Sequence, residues 1–263
     1  MKPPTNSTRA FGWRHAALLL TVVGSLVFVL SLARIVQDPG YHHFADQRVW
    51  LGINNFLNIL SNLPFLLVGL AGAYYCSQQR ALELRSAWLT FFAGVALVSA
   101  GSSWYHWQPD NGSLVWDRLP MTIAFMGLLV ALLAESLQAQ LGKWLLVPAV
   151  LTGLASVLYW QRFDDLRFYA WVQAVPLLTV PAAMALFRQR YTRHWLLLAA
   201  LGCYVVAKLF EFADYRTYEF TRGLVSGHAL KHLFATLACY LILVMLKTRG
   251  PAATGGTERN AFL

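Results

Sequence analysis

Three histidines and one aspartate carry the chemistry open to this chain. His228 and His232 stand four residues apart in an apolar stretch, so on a helix they share one face. Two imidazoles at that spacing can hold one metal ion, as in helical zinc sites. A catalytic zinc takes three protein ligands and keeps one position for water. His106, the other histidine near the end of an apolar run at the same depth, is the candidate third. Ser102 lies four residues before His106 on the same face. Asp117 follows after a short loop, within reach if its helix neighbours that of His106. Zinc on neutral imidazoles brings bound water to a pKa of about 7, and a carboxylate can then take its proton. Each residue alone also has a plainer reading. The histidine pair could be structural, His106 an interface residue, Asp117 a helix-dipole charge and Ser102 a small packing residue. Their joint occurrence at one depth is what the plainer readings handle poorly, because unpartnered polar groups inside a membrane are costly.

The elements that must position them are membrane helices. The chain has 263 residues, 57% of them hydrophobic and 13% charged, with a mean hydropathy of +0.49. A soluble domain carries about 25% charged residues. The composition excludes a soluble enzyme, a disordered chain and a disulfide-stapled scaffold. The net charge of +9 does not point to nucleic acid, because the basic residues fill short gaps between apolar runs and form no stripe. Cys76, Cys203 and Cys239 lie in or beside apolar runs, make no disulfide framework and read as packing residues.

Eight stretches are long enough to span, at 16–36, 55–76, 88–106, 118–138, 144–160, 168–187, 195–212 and 227–246. The expected fold is all-α, a polytopic membrane helix bundle. Lys and Arg divide twelve to seven between the two sets of connecting segments, which places both termini in the cytoplasm. The chain then reads as a tail over 1–15, a first span over 16–36, a membrane domain over 41–246 and a disordered tail over 247–263. In this topology the polar residues gather on the extracytoplasmic side. Ser102 and His106 end the third span, Asp117 opens the fourth, and Glu211 and Asp214 close the seventh. His228 and His232 open the eighth, while Asn54, Asn55, Asn58, Ser61 and Asn62 open the second. Glu211 and Asp214 either orient a histidine or pair with Lys208 or Arg216. Lys231 either reaches the interface or meets a lipid headgroup. His42 and His43 read as solvated, and His15 and His194 as interfacial. Trp50, Trp104, Trp144 and Trp195 read as an aromatic belt.

These residues resemble a known family. Gly101-Ser102-Ser103-Trp104-Tyr105-His106 followed by Asp117-Arg118-Leu119-Pro120-Met121 is similar to the Ser-x-x-x-His and Asp-x-x-Pro-Met motifs of alkaline ceramidases. Ser226-Gly227-His228-Ala229-Leu230-Lys231-His232 matches their terminal His-x-x-x-His, and Asn58-Ile59-Leu60-Ser61-Asn62 their Asn-x-x-Ser-Asn. The wider superfamily includes the adiponectin and progestin receptors. The resemblance covers most of 41–246 and implies a seven-helix hydrolase-like core, with 16–36 as an extra helix ahead of it. It implies that His106, His228 and His232 bind Zn2+, that Asp117 handles the water zinc activates, and that Ser102 sits beside the reacting carbonyl. Asn58 and Ser61, with Glu211 and Asp214, are candidates to support these ligands. The implied activity is hydrolysis of the amide of an N-acylated lipid such as a ceramide. One departure concerns Ca2+. Eukaryotic members carry an acid-rich calcium loop, whereas Tyr41 to Asn55 offers little beyond Asp46, Asn54 and Asn55. A weak site at Asp46 and Asn55 is the most that stretch supports, because calcium takes several oxygen ligands.

Other classes predict different behaviour. A lipid-binding receptor of the same superfamily would bind without turnover. A haem protein would need histidines facing each other across helices, which the i, i+4 pair does not offer. A transporter would show repeats or broken helices at mid-membrane.

Overall fold

The computed structural model describes residues 12–252. Residues 1–11 and 253–263, with most of both expected tails, lie outside the described residues. The chain forms α1 (Trp13–Ser31), α2 (Phe56–Leu60), α3 (Leu63–Gln78), α4 (Arg85–Trp107) and α5 (Asn111–Ser136). It continues with α6 (Leu141–Phe163), α7 (Arg167–Leu186), α8 (Trp195–Phe212), α9 (Asp214–Phe220) and α10 (Gly227–Thr248). Among the described residues, eight segments are long and apolar enough to cross a bilayer, with α2 and α3 sharing one. The chain is an all-α, multi-pass membrane bundle.

Three helix ends depart from the sequence-based expectation, each for a local reason. The first span ends at Ser31, short of residue 36, where Arg167 Nη1 takes the carbonyls of Leu30 and Leu32 at 2.9 and 2.7 Å. The fourth begins at Asn111 rather than 118, because Asp110 forms a capping box with Ser113, accepting its backbone N–H at 2.6 Å. Asp117 and Arg118 therefore lie inside α5 and not at its start. The second span breaks at Ser61–Asn62, since Pro64 offers no N–H to the Leu60 carbonyl.

The bundle is built on α5. Helix α4 packs along α5, α3 along α4, α6 along α5, and α8 along α10, while α1 lies against α7. Phe91, Phe92, Val95, Leu128, Leu197, Ile242 and Leu246 belong to the main core. Leu20, Val23, Val27 and Phe28 of α1 face outward, as a lipid-contacting helix requires. Trp50, Trp104, Trp144 and Trp195 are all exposed.

The bundle ends on α3–α4, α7–α8 and after α10 share an ionic cluster. Glu135 bonds His194 Nε2 at 3.1 Å and Arg249 Nη1 at 2.9 Å. Glu83 pairs with Arg190 at 3.0 Å and accepts the Tyr191 hydroxyl at 2.5 Å. The backbone of 190–192 is bonded to 250–252 through Thr192 N–H to Gly250 O and Ala252 N–H to Arg190 O. Burial and Glu83 push the Tyr191 phenol up to about 12.

Candidate metal centre

At the other end of the bundle two helices bring the histidines together. His106 ends α4, and His228 and His232 occupy the first two turns of α10. The start of α10 is set by Ser226, whose Oγ accepts the Ala229 N–H at 3.0 Å. Two glycines permit the approach of the neighbouring chains. A Cβ on Gly101 would lie 2.0 Å from the Trp116 carbonyl oxygen, and one on Gly227 2.3 Å from that of Phe210. Those two residues directly precede Ser102 and His228.

The three rings form a near-equilateral triangle, with centroids 4.8, 5.1 and 4.9 Å apart. All three are buried, and their nitrogens gather within 4.8 Å of one another. His106 Nε2 and His228 Nε2 are 3.3 Å apart. Zinc–nitrogen bonds of about 2.0–2.1 Å in a tetrahedron separate two ligand nitrogens by roughly 3.4 Å. That separation fits two ligands of one tetrahedral metal ion, with the third imidazole nitrogen within 4.8 Å of both.

The supporting contacts fix one ring in detail. Ser61 Oγ lies 2.7 Å from His232 Nδ1 and 2.9 Å from the Asn58 carbonyl. A serine hydroxyl has one proton, and the carbonyl can only accept it. Ser61 thus accepts from His232 Nδ1–H, which leaves the Nε2 lone pair for the cluster. Asn58 in turn bonds Ser226 and the Asp46 carbonyl, joining α2 to the start of α10. Asp214 touches no imidazole: its carboxylate takes the backbone N–H of His228 at 2.7 Å and that of Ala45 at 2.9 Å. Glu211 pairs with Lys208 and with Lys231, the latter at 2.7 Å, and accepts the Tyr41 hydroxyl at 3.2 Å. Lys231 Nζ is itself 3.4 Å from His228 Nε2. His106 Nδ1 has no hydrogen-bond partner.

The segment before α2 roofs this end. Phe44 is buried with its ring centroid 4.6 Å from His106 and 4.8 Å from His228. Burial and the Glu211 carboxylate hold the Tyr41 phenol well above its usual range. His42, expected to be solvated, bonds the Tyr105 hydroxyl and Asn111, each at 3.1 Å. The two candidate calcium residues have other partners. Both Asp46 oxygens engage Arg48, and the Asn55 amide donates to the His106 carbonyl at 2.8 Å.

Ser102, Asp117 and His232 line one cavity of about 260 Å³. The Ser102 hydroxyl lies beside the Asp117 carboxylate. From His232 the cavity runs along α10 to Ile242, ten residues on, or about 15 Å at 1.5 Å per residue. Phe91, Val95, Val180 and Leu197 line that arm. A metal-competent triad, a carboxylate and a hydroxyl thus stand at the polar head of an apolar channel.

The sequence profile of the ceramidase family, described simply as Ceramidase, matches residues 48–257. The chain belongs to the ceramidase family. The matched region holds seven of the eight spans, and α1 precedes it. A comparison with curated proteins finds no match. Membership places this ceramidase-family chain among lipid amide hydrolases in a membrane setting. Reasoning from sequence assigned no site role to Tyr41, Tyr105 or Arg118. Arg118 had one available signal, since it is a charge directly after Asp117 in a run that continues as helix.

Proposed function

We propose that the chain is a zinc-dependent intramembrane hydrolase that cleaves the amide of an N-acylated lipid, ceramide or a close relative. The observation that carries this reading is the 3.3 Å approach of two imidazole nitrogens within a buried triad at the head of an apolar channel. His106, His228 and His232 would hold the ion. Zinc there would supply a Lewis acid and a water that ionises near neutral pH.

The chain's own groups do the rest. Asp117, buried beside Ser102, takes a proton from the attacking water and returns it to the leaving amine. The Ser102 hydroxyl donates to the carbonyl oxygen as negative charge develops there. Ser61 keeps His232 in the tautomer that presents Nε2. The apolar arm receives the acyl chain and excludes water along its length. The distribution of Lys and Arg supports placing this end on the extracytoplasmic side, with both termini in the cytoplasm. The extra helix α1, the seven-helix domain over 41–246 and the flanking tails complete the proposed organisation.

Metal analysis of the purified full chain, run beside release of fatty acid from ceramide and from other N-acyl lipids, tests this reading. The expected result is about one zinc per chain with fatty-acid release, and loss of both in His106→Ala. Lipid binding with zinc but no turnover on any amide would overturn the hydrolase reading in favour of a receptor. Full zinc retention in His106→Ala would overturn the ligand set.

A further inference from the structure

Among the described residues, Arg48 pairs with Asp46, Arg167 with Asp165, Arg190 with Glu83 and Arg249 with Glu135. Arg118 is also buried, at 5% exposure, and has no such partner among the described residues. Its Nη2 donates to the Gln37 side-chain oxygen at 2.7 Å, and its Nη1 has no hydrogen-bond partner. Three aromatic rings surround the guanidinium, Trp160 at 3.9 Å, Tyr169 at 4.8 Å and Tyr41 at 5.8 Å from its central carbon. Cation–π contacts offset part of the cost of burying a cation and leave its donors unfilled. An unpaired charge inside a membrane protein marks a functional position by default.

Arg118 also lines the cavity of the metal centre, beside Tyr41, Leu166 and Tyr169. The charged side chains along that cavity are Asp117, Arg118, Lys208, Glu211 and Lys231. Lys208 and Lys231 both engage Glu211. That leaves Asp117 as the remaining countercharge for Arg118, and the proposed reaction protonates Asp117. Among the described residues no other acidic side chain lines the cavity, and the hydrogen bond of the guanidinium is the one to Gln37. The apolar arm accommodates the acyl chain, so the group arriving beside Arg118 belongs to the amine half of the substrate.

We propose that Arg118, held by Gln37 within its aromatic box, is a specificity-determining residue that binds an oxyanion on the amine half of the lipid amide, a carboxylate or a phosphate. Guanidinium is the side chain best matched to both, since its parallel N–H groups meet two oxygens of either. The inference rests on the hydrolase reading for which bond is cut, and it narrows the substrate from ceramide itself to related lipid amides whose amine half is acidic.

Two matched pairs of amides test it on the full-length protein in detergent. The first is N-hexadecanoylglycine against N-hexadecanoylglycinamide. The second is N-hexadecanoylphosphoethanolamine against N-hexadecanoylethanolamine. Each pair is measured for cleavage, and for binding by thermal shift on the His106→Ala variant, where bound amide persists. The expected result is a preference of about tenfold or more for the charged member of at least one pair, the size typical of a hydrogen bond to a charged group. The pair that shows it identifies the oxyanion. In Arg118→Gln the charged-to-neutral ratio should fall towards one, and Arg118→Lys should keep part of it. If Arg118→Gln does not fold, Gln37→Glu places a carboxylate against the guanidinium and should lower the same ratio. Equal treatment of both members of both pairs would overturn the proposal, as would a preference that survives Arg118→Gln. An Arg118-dependent binding preference without cleavage would uphold this assignment while the hydrolase reading fell.

Discussion

Each end of the bundle buries a histidine, a carboxylate and a basic side chain, and the two clusters are built differently. Around Glu135 the charges close on one another: one oxygen meets His194 and the other meets Arg249, whose side chain is 4% exposed. That cluster ties 187–194 and 249–252 to the end of α5. At the other end the groups stay open. Two imidazole nitrogens face each other at 3.3 Å, Arg118 has no carboxylate paired to it among the described residues, and Asp117 meets a cavity, while a histidine Nδ1 lacks a partner at both ends, His106 here and His194 there. Closed polar clusters join helices. Open ones leave bonding capacity for a metal, a water and a substrate, and the cost of keeping them open in a membrane argues that a ligand fills it.

The strongest way to break this comparison is at Asp117. Asp117→Asn should keep zinc and lose about 10²–10⁴-fold in kcat, the range over which a positioned acid–base group contributes. Parallel metal analysis and turnover on the best amide substrate check it. Wild-type turnover would make the open end no more functional than the closed one.

The next largest effect belongs to the closed end. Glu135→Ala leaves the buried Arg249 guanidinium without its carboxylate, and breaking a buried pair from one side costs about 3–5 kcal/mol. The variant should unfold at markedly lower denaturant or temperature in detergent, while the folded fraction still carries one zinc. Loss of zinc from folded Glu135→Ala would show that the two ends are not separate.

Legibility from sequence followed the same division. All eight spans could be read because a bilayer demands long apolar runs. The ends at Ser31 and Asn111 could not, because they depend on Arg167 reaching back to Leu30 and Leu32 and on the Asp110–Ser113 box. Shared depth and the i, i+4 spacing exposed the three histidines, Ser102 and Asp117. Partners distant in sequence stayed hidden. Ser61 meets His232 across 171 positions, and Gln37 meets Arg118 across 81. Misplacing the start of α5 made Arg118 look like a loop charge. His194 was read as interfacial because its partner Glu135 lies on another helix.

Ser61→Ala sharpens the comparison within the open end itself. It removes the acceptor that fixes the His232 tautomer, and such supporting groups are worth about 10–100-fold in metal affinity. Zinc titration against a chelator should show that loss with the fold intact. Asn58→Ala should act in the same direction through Ser226 and the Asp46 carbonyl, which its side chain bonds. Unchanged zinc affinity in Ser61→Ala would mean that packing alone orients the ring.

The smallest effect lies where the two regions meet. Val180 and Leu197 line both the substrate cavity and the small void beside Glu135 and His194, so they form the floor on which an acyl chain would end. Leu197→Ala should let a longer chain descend until the ionic cluster stops it, and Leu197→Phe should shorten the reach. Each buried methylene is worth about 0.8 kcal/mol, or roughly fourfold in kcat/KM. Profiles over dodecanoyl, hexadecanoyl and eicosanoyl amides should therefore shift towards the longer member in Leu197→Ala and the shorter in Leu197→Phe. Opposed shifts in the two variants separate this effect from a general loss of stability, which would lower every chain length together. Two unchanged profiles would place the end of the acyl chain elsewhere, and the closed cluster would then have no part in setting which lipids the open one can cleave.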